Sequence, residues 1–416
     1  MNIWRGAALP TEKEPVVETR KLLDLADELR TWLYRDALPI WWTIGSDQSA
    51  GGFHEKLTLG GRPAGDARRT RVVGRQIYSY ATVQALGWPG PAASAVEHGL
   101  EFLLTKSLGP NGVFLSQVKS DGRVVRGDFD LYDQAFGLFG MAAAATAGHR
   151  LAELTSVART VREQLKAHYH LDTGGFLENH STPEPLLANP HMHLFEAALA
   201  WEECLAQSEG TDGGDAGWSE LADEIGELAL KSFIQQPQGH LVEYFDLNWS
   251  PTSGDAGAIV EPGHQFEWAW LLMRWGRSRR REDALAAAAR LISVAENHGL
   301  SGDGLLAVNE IWTDYRPKDS AFRLWPQTER LKAHVLSATY ATTTGACTHH
   351  LRLAATACEG LKVFLNTEVP GLWTDRFHGD RRPILDDAPA SSLYHIVCGL
   401  NELFRACRKF SEFTRF

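Results

Sequence analysis

The sequence is poor in cysteine and short of positive charge. Its 416 residues include five cysteines, and 41 Lys and Arg face 52 Asp and Glu, for a formal net charge of −11. The cysteines are odd in number and form no C-x-x-C pair, which favours buried thiols in a reducing compartment over a disulfide framework. The negative charge argues against nucleic acid as a partner, because binding to phosphates requires basic patches.

Long apolar runs and common cofactor motifs are also missing. The first residues, MNIWRGAALPTEKEP, lack the apolar core of a signal peptide. The longest weakly polar run, residues 135–148, is too short and too rich in Ala and Gly to span a bilayer. No G-x-G-x-x-G, Walker or G-x-S-x-G motif occurs. We therefore expect a cytoplasmic protein that has no membrane partner and needs no cofactor.

The chain is rich in aromatic residues and carries a repeated glycine turn. Hydrophobic residues make up 44% of the sequence, with 14 Trp and 18 Phe, enough for a large core. Six times a glycine leads into an aromatic or aliphatic residue, as in GFHE (52–55) and GHLVE (239–243). The six glycines are Gly52, Gly112, Gly175, Gly239, Gly304 and Gly371, which recur every 60–67 residues. A fixed period means that one structural unit is repeated.

Between the turns, apolar residues recur with a helical period. The pattern predicts twelve helices, at 20–37, 71–87, 92–105, 133–146, 150–168, 191–207, 218–234, 264–276, 281–298, 326–339, 347–367 and 391–409. Two helices therefore belong to each turn. The first helices of the pairs are more apolar and should form an inner ring, while the others carry a charged face and should lie outside.

Six inner and six outer helices predict an all-α fold, the (α/α)6 barrel, with short β-hairpins in the connecting loops. We expect a single domain over residues 1–416, because no interdomain linker is visible. An open solenoid is the alternative, and it would need polar capping helices at both ends. The terminal segment 391–409 is apolar, which favours closure of the ring.

A polar or ionisable residue stands near the start of every predicted inner helix, 18 to 25 residues after the turn glycine. These residues are Arg75, Asp133, His193, His264, Trp325 with Glu329, and His395. If the inner helices run in one direction, their starts converge at one end of the barrel. Buried ionisable groups are costly unless they are paired or used, so this end is predicted to hold the active site.

The segment EPGHQFEW (261–268) is the most specific of these. His264 and Glu267 stand three residues apart on one helical face, and a carboxylate beside an imidazole fixes its tautomer and raises its basicity. A surface ion pair would have the same spacing, but the neighbouring Phe266 and Trp268 predict a buried helix. We therefore expect a proton-transfer group here.

Three further segments predict contacts to a substrate. In NPHMH, Asn189 either caps a helix or joins His193 at the site. In WPQTE, Trp325 and Glu329 lie one helical turn apart, which suits stacking on a sugar face and binding of its hydroxyls. Arg75 either binds an oxygen or anion or pairs with a carboxylate.

Metal binding is the competing interpretation of the histidines. His191, His193, His264, Glu267 and His395 are of the types that bind zinc. The H-E-x-x-H motif is absent, however, and no close group of Asp and Glu suits Mg²⁺ or Mn²⁺. We therefore expect no metal.

Five segments together resemble the N-acylglucosamine 2-epimerase superfamily, and most closely its D-mannose isomerase branch. They are GRQIYSY (74–80), NPHMH (189–193), EPGHQFEW (261–268), WPQTE (325–329) and YH (394–395). The resemblance implies an (α/α)6 barrel, chemistry without a metal, and two catalytic histidines, His264 and His395. It implies substrate-binding roles for Arg75, Asn189, His193, Glu267, Trp325 and Glu329.

The resemblance implies isomerisation of D-mannose to D-fructose, and of D-lyxose to D-xylulose, through a cis-enediol. His264, oriented by Glu267, would open the ring and move a hydroxyl proton, and His395 would carry the C2 proton to C1. Sugar 2-epimerisation by the same histidines is the alternative. Glycoside hydrolysis by Glu267 and Glu329 and non-catalytic sugar binding are two others. The expected partner is a monosaccharide, and the chain is expected to be a monomer or homodimer.

Overall fold

The computed structural model describes residues 14–179, 184–207 and 215–411, most of which are helical. The helices in chain order are α1 (Glu14–Trp32), α2 (Leu38–Thr43), α3 (Thr70–Ala85), α4 (Ala92–Phe102), α5 (Leu131–Thr146), α6 (Leu151–His168), α7 (Ala188–Gln207), α8 (Ala216–Leu228), α9 (Pro262–Arg279), α10 (Glu282–His298), α11 (Leu324–Tyr340), α12 (Thr344–Leu365) and α13 (Ser391–Ser411). Each predicted helix corresponds to one of these. The short α2 is an addition that follows α1 after a π-helical turn.

The odd-numbered helices from α3 to α13 form a closed inner ring. Each packs against the next one, and α13 packs back against α3. The outer layer consists of α1, α4, α6, α8, α10 and α12, each packed on an inner neighbour. The fold is therefore the predicted (α/α)6 barrel, and the open solenoid is wrong.

The inner helices are buried almost all round, as their composition predicts. In α5, thirteen of sixteen residues are buried, whereas the outer α6 buries only one face. The inner helices also approach closely where small residues allow it. A Cβ atom added to Gly74 of α3 would lie 2.1 Å from the carbonyl oxygen of Phe136 in α5. Any larger residue at position 74 would push these two helices apart.

Short antiparallel strands occupy the loops that precede the inner helices, as predicted. They are β1 (Lys56–Leu57), β2 (Pro63–Ala64), β3 (Ala67–Arg69), β4 (Gln117–Lys119), β5 (Val124–Arg126), β6 (Leu186–Leu187), β7 (Ile234–Gln235), β8 (His240–Leu241), β9 (Tyr244–Phe245), β10 (Ile259–Val260), β11 (Val308–Trp312), β12 (Pro317–Arg323), β13 (Arg376–Phe377), β14 (Pro383–Ile384) and β15 (Ala388–Pro389). The largest sheet has the order β10-β11-β12-β13-β14. β1 pairs with β15 and so joins the first repeat to the last.

The repeated glycine turns are held against the inner helices by glutamine side chains. All six turn glycines have φ between 71° and 89°, in the left-handed region that suits glycine. In three repeats a glutamine binds both the N–H and the C=O of the residue at the turn. The pairs are Gln134 with Phe114, Gln265 with Leu241, and Gln327 with Ala307.

Five of the six turns also receive a backbone N–H from the start of the preceding inner helix, at the residue two positions after the turn's hydrophobic residue. Thus Ala188 at the start of α7 donates to Glu243 O at 3.1 Å, and Ala390 beside α13 donates to Glu55 O at 2.9 Å. The helix before the remaining turn, α9, begins with Pro262, which has no N–H. The five bonds place Glu243 and its equivalents beneath the helix starts. Within the described part of the chain, no helix combines the length and apolarity needed to cross a bilayer.

Candidate active site

The starts of the inner helices bring the predicted residues into one buried region at one end of the barrel. Buried there are Arg75 of α3, His193 of α7, His264 and Glu267 of α9, Trp325 and Glu329 of α11, and His395 of α13. Asn189 of α7 is half-buried, and its side-chain Oδ1 has no hydrogen-bond partner in the described structure.

The remaining inner helix, α5, places Tyr132 rather than the predicted Asp133 beside these residues. Asp133 of α5 accepts hydrogen bonds from the backbone N–H and the Nε of Arg71, at 2.9 and 2.8 Å. This arrangement joins α5 to the start of α3. Asp133 is therefore part of the framework, whereas the hydroxyl of its neighbour Tyr132 accepts a hydrogen bond from Arg75 at the site.

His264 lies in an acidic environment that favours its charged form. Its Nδ1 is 2.8 Å from Glu243 Oε2 and 3.6 Å from Glu261 Oε2. Burial alone would lower the pKa of His264, but Glu243 and then Glu261 raise it to about 10. Burial raises the pKa of Glu261 to about 7, against the opposing charge of His264. His264 is therefore an imidazolium at neutral pH.

The carboxylate at His264 is not the one expected from the sequence. Glu267 shares a helix with His264, but Glu243, at the fifth position of the GHLVE turn, binds Nδ1. Both oxygens of Glu267 lack a hydrogen-bond partner in the described structure. Burial, and then the charge of Glu329, raise the pKa of Glu267 well above its usual value. Glu267 is therefore a neutral acid that can donate to a ligand.

His395 has the opposite electrostatic character. Its Nδ1 lies 2.9 Å from Glu329 Oε1. Burial, and then the positive charges of Arg75 and Lys332, lower the pKa of His395 well below its usual value. His395 is therefore neutral at neutral pH. An ionised carboxylate at this position would only accept hydrogen bonds, which would place the imidazole proton on Nδ1 and leave a lone pair on Nε2.

Trp325 lies between the two histidines. Its ring centre is 4.9 Å from that of His264 and 5.8 Å from that of His395, with both rings tilted by 37° to the indole. An indole face in this position can hold the apolar side of a sugar. A substrate lying on it would have an acid on one side and a base on the other.

Arg75 supplies positive charge to the opposite wall. Its Nη2 donates to the hydroxyl of Tyr132 at 2.6 Å, and its guanidinium lies 4.0 Å from the ring centre of Phe136. The buried Nε of Arg75 has no partner in the described structure. An arginine held flat in this way retains donors for an oxygen atom of a ligand.

His193 belongs to a second hydrogen-bonded group on this wall. Its Nδ1 is 3.3 Å from Glu196 Oε2, which also accepts a 2.6 Å hydrogen bond from Tyr394. Burial lowers the pKa of His193 to about 4, although Glu196 opposes the shift. The other histidine of NPHMH is structural: His191 Nδ1 binds Leu187 O and its Nε2 accepts from the N–H of Phe176.

Lys332 lies beneath the site and was not predicted. Its Nζ is 2.6 Å from Glu329 Oε2 and 3.8 Å from Glu267 Oε1. The closer contact is an ion pair whose approach is too oblique for a hydrogen bond. Burial opposes the charge on Lys332, but Cys398 and Glu329 raise its pKa well above the usual value. The spacing from Glu329, one helical turn, was the available signal in the sequence.

Among the residues that the structure describes, three groups of side chains have donor atoms close enough to share an ion. They are Glu243, Glu261 and His264; His193, Glu196 and Glu267; and Glu267, Glu329 and His395. All three are already joined internally by hydrogen bonds or ion pairs. The geometry is therefore compatible with a bound metal ion as well as with proton transfer by the side chains. Activity measured with and without EDTA distinguishes the two.

Further cavities lie at the opposite end of the barrel, where the inner helices finish. Two adjacent ones have volumes of about 350 and 470 Å³ and share Glu203, Arg274, Glu402 and Arg405 in their walls. Neither wall includes a histidine. They lack the histidine–carboxylate contacts that mark the other end.

The chain matches one protein family over most of its length. A family model described as N-acylglucosamine 2-epimerase (GlcNAc 2-epimerase) matches residues 51–399. The chain is 42% identical over 380 residues to a mannose-6-phosphate isomerase of Rhizobium meliloti (strain 1021), covering 91% of this chain and 96% of that protein. It is 26% identical over 257 residues to a D-mannose isomerase of Pseudomonas cannabina pv. alisalensis, covering 55% of this chain and 58% of that protein.

Solved structures show the same fold at low identity. Cellobiose 2-epimerase from Spirochaeta thermophila DSM 6192 matches with a TM-score of 0.82 and 21% identity, over 97% of this chain and 100% of that one. A D-mannose isomerase matches with a TM-score of 0.76 and 16% identity, over 96% and 100%. The resemblance inferred from the sequence motifs is confirmed.

Proposed function

Since the chain belongs to the N-acylglucosamine 2-epimerase family and is a sugar isomerase or epimerase, we propose that it interconverts D-mannose and D-fructose. The observation that carries this proposal is the opposite protonation of two histidines beside one indole ring. When the surroundings of two titratable groups in one site push their pKa values apart, the group with the raised pKa can act as the acid and the group with the lowered pKa as the base. D-Lyxose and D-xylulose, which share the reacting carbons, are proposed as a second pair.

The proposed reaction moves one proton between neighbouring carbons. His264, as an imidazolium, donates a proton to the ring oxygen and takes the proton of the C1 hydroxyl, which opens the sugar. It then protonates the C1 carbonyl oxygen as the enediol forms, and accepts the proton of the C2 hydroxyl as the ketone forms. His395 removes the proton from C2 with the lone pair on Nε2, which gives a cis-enediol. The same nitrogen returns that proton to C1 while the C2 hydroxyl becomes the ketone. Acid–base help of this kind contributes roughly 10²–10⁴-fold per group.

The remaining predicted residues are proposed to hold the sugar. Arg75 is placed to stabilise the negative charge that develops on the enediol oxygen. Asn189 and His193 would bind hydroxyls on the α7 side, and the neutral acid of Glu267 would donate to a third. Trp325 would support the apolar face. Glu329, which the resemblance casts as a substrate ligand, is also proposed to orient His395 through Nδ1.

Whether the natural sugar carries a phosphate is a separate question, because one relative is named a mannose-6-phosphate isomerase. The site is rich in carboxylates, and Lys332 is already neutralised by Glu329, so a phosphate dianion would be unfavourable within it. A phosphate at the rim of the site would have to bind Arg323, whose guanidinium carbon lies 5.9 Å from the Trp325 ring centre. We propose the unphosphorylated sugar as substrate. If mannose 6-phosphate is used instead, Arg323→Gln will raise the KM for it and leave D-mannose conversion unchanged.

Epimerisation at C2 is the second candidate. It uses the same two histidines on opposite faces of C2, so that one removes the proton and the other returns a proton to the other face. The family description and the cellobiose 2-epimerase fold favour it. Glycoside hydrolysis is not supported, because Glu267, Glu329 and His395 place their donor atoms within 4.8 Å of one another. Retaining and inverting hydrolases separate their carboxyl groups by more than about 5 Å, across the bond that breaks.

Product identification tests the proposal. The protein is incubated separately with D-mannose, mannose 6-phosphate, cellobiose and N-acetylglucosamine, with and without EDTA, and the sugars are separated by chromatography. Fructose from D-mannose in both EDTA arms is the expected result and supports metal-free chemistry. Glucose from D-mannose would identify a 2-epimerase. N-acetylmannosamine from N-acetylglucosamine would place the chain in another branch of the family.

A further inference from the structure

Lys332 is a buried lysine that none of the proposed steps uses. It lies on α11 one turn after Glu329, and its side chain has no solvent exposure. Its Nζ contacts Glu329 and lies 3.9 Å from the ring centre of Trp270. Burying an ammonium group is costly unless it is compensated and used. Its presence beneath the proposed base therefore needs an explanation.

Glu329 divides its two oxygens between Lys332 and the proposed base. Oε1 lies 2.9 Å from His395 Nδ1, and Oε2 lies 2.6 Å from Lys332 Nζ. As a carboxylate, Glu329 only accepts, so the imidazole proton must lie on Nδ1 and Nε2 is free to take a proton. As a neutral carboxyl group, Glu329 would donate to Nδ1, and the ring hydrogen would lie on Nε2. In that form His395 cannot act as a base.

We infer that Lys332 is a positioning residue, which keeps Glu329 ionised and thereby holds His395 in the tautomer with a free Nε2. Lys332 does not touch the sugar in this account. Its effect on the rate rests on the proposed function of His395, but its effect on the tautomer does not.

The surroundings explain why a positive charge is needed. The groups that face the pair are Arg75 from α3, Glu196 and His193 from α7, Glu267 from α9, and Tyr394, His395 and Cys398 from α13. The polar groups of α10 and α12 instead meet Arg330 and His334 on α11. Three of the groups near Lys332 are acidic side chains, namely Glu196, Glu267 and Cys398. None of them can stabilise a negative charge on Glu329.

Removal of Lys332 should add one proton to the group. If the proton settles on Glu329, the carboxyl donates to Nδ1 and the ring hydrogen moves to Nε2. If it settles on the ring, both nitrogens carry hydrogen. Nε2 is protonated in either case. The free lone pair returns only when the pH is raised far enough to remove the added proton.

The test is ¹⁵N NMR of the imidazole nitrogens in ligand-free protein, with the His395 signals assigned by difference from His395→Gln. Wild type should show hydrogen on Nδ1 alone, and Lys332→Met should show hydrogen on Nε2. Lys362→Met, which removes a surface lysine paired with Glu28, is the matched control and should leave the signals unchanged. Hydrogen on Nε2 in wild type, or an unchanged tautomer in folded Lys332→Met, overturns the inference. If Lys332→Met does not fold, Lys332→Gln takes its place.

Kinetics supply the second readout. Lys332→Met should lower kcat by roughly 10²–10⁴-fold, the cost of a wrong histidine tautomer or a lost base, with KM nearly unchanged and activity recovering as the pH rises. A merely structural role would lower activity equally at all pH values. The two proposals fail separately. If the tautomers are as expected but the protein converts no sugar, only the proposed function is refuted. If the protein converts sugar but the variant shows no change of tautomer, only the role of Lys332 is refuted.

Discussion

Replacing Glu243 by glutamine should convert the proposed acid into a group that loses its proton near neutral pH. The substitution keeps the size of the side chain and removes its charge. Glu243 Oε2 is 2.8 Å from His264 Nδ1, and the pKa of His264 is raised from 6.5 to about 10. Because this carboxylate is the largest cause of the rise, the proposed acid depends on it more than on Glu261.

The size of the effect follows from the geometry. Two unit charges about 4 Å apart interact by about 4 kcal/mol at an effective dielectric constant near 20, which is roughly three pKa units. Glu261 lies further away, at 3.6 Å from Nδ1, and remains in the variant. We therefore expect the pKa of His264 to fall by roughly two to three units, to a value within the ordinary range of histidine.

The assay is kcat/KM for D-mannose between pH 6 and pH 10. Wild type should hold its rate until the pH nears the pKa of His264, about 10, whereas Glu243→Gln should lose activity from just above neutral pH. Glu55→Gln is the matched control, since Glu55 occupies the equivalent position in the first repeat but binds Arg69. An unchanged basic limb in folded Glu243→Gln would refute the assignment of His264 as the acid.

Three further predictions address the base, the pH dependence of stability and the framework. His395→Gln should lower kcat for D-mannose by roughly 10²–10⁴-fold, measured by polarimetry, with thermal stability retained. Burial lowers the pKa values of His191 and His193 to about 4. As the pH falls, the unfolded chain therefore binds protons at these two residues before the folded protein does. Urea denaturation should show stability falling as the pH drops from 6.5 to 4, by up to about 3 kcal/mol per histidine. Glu296→Gln leaves the buried Arg330 without its carboxylate and should cost about 3–5 kcal/mol, seen as a lower Tm.

The repeat made the fold predictable. Turn glycines at a fixed period, each followed by one apolar and one amphipathic helix, indicated the barrel and the end where the site lies. Closure of the ring depended on contacts between the first and last repeats, such as Glu55 with Ala390. The apolar character of α13 pointed to that closure, but sequence spacing cannot show a contact between distant residues.

The site was predictable where its residues stand at helix starts, and less so where partners come from other elements. Helical spacing suggested Glu267 as the partner of His264, but the carboxylate at Nδ1 is Glu243, which comes from a loop 21 residues earlier. In the sequence, the turn that contains Glu243 is marked only by its glycine. Lys332 is not predictable as a buried residue because buried lysines are uncommon, and only its carboxylate neighbours explain it.

The central claim is that His264 and His395 move a proton between C2 and C1 of a sugar. ¹H NMR of D-mannose incubated with the protein in deuterated water tests it most directly, because the proton held by His395 exchanges with solvent before it returns. We expect fructose that carries deuterium at C1, together with deuterium at C2 of the remaining mannose. Mannose that stays fully protonated and unconverted would contradict it.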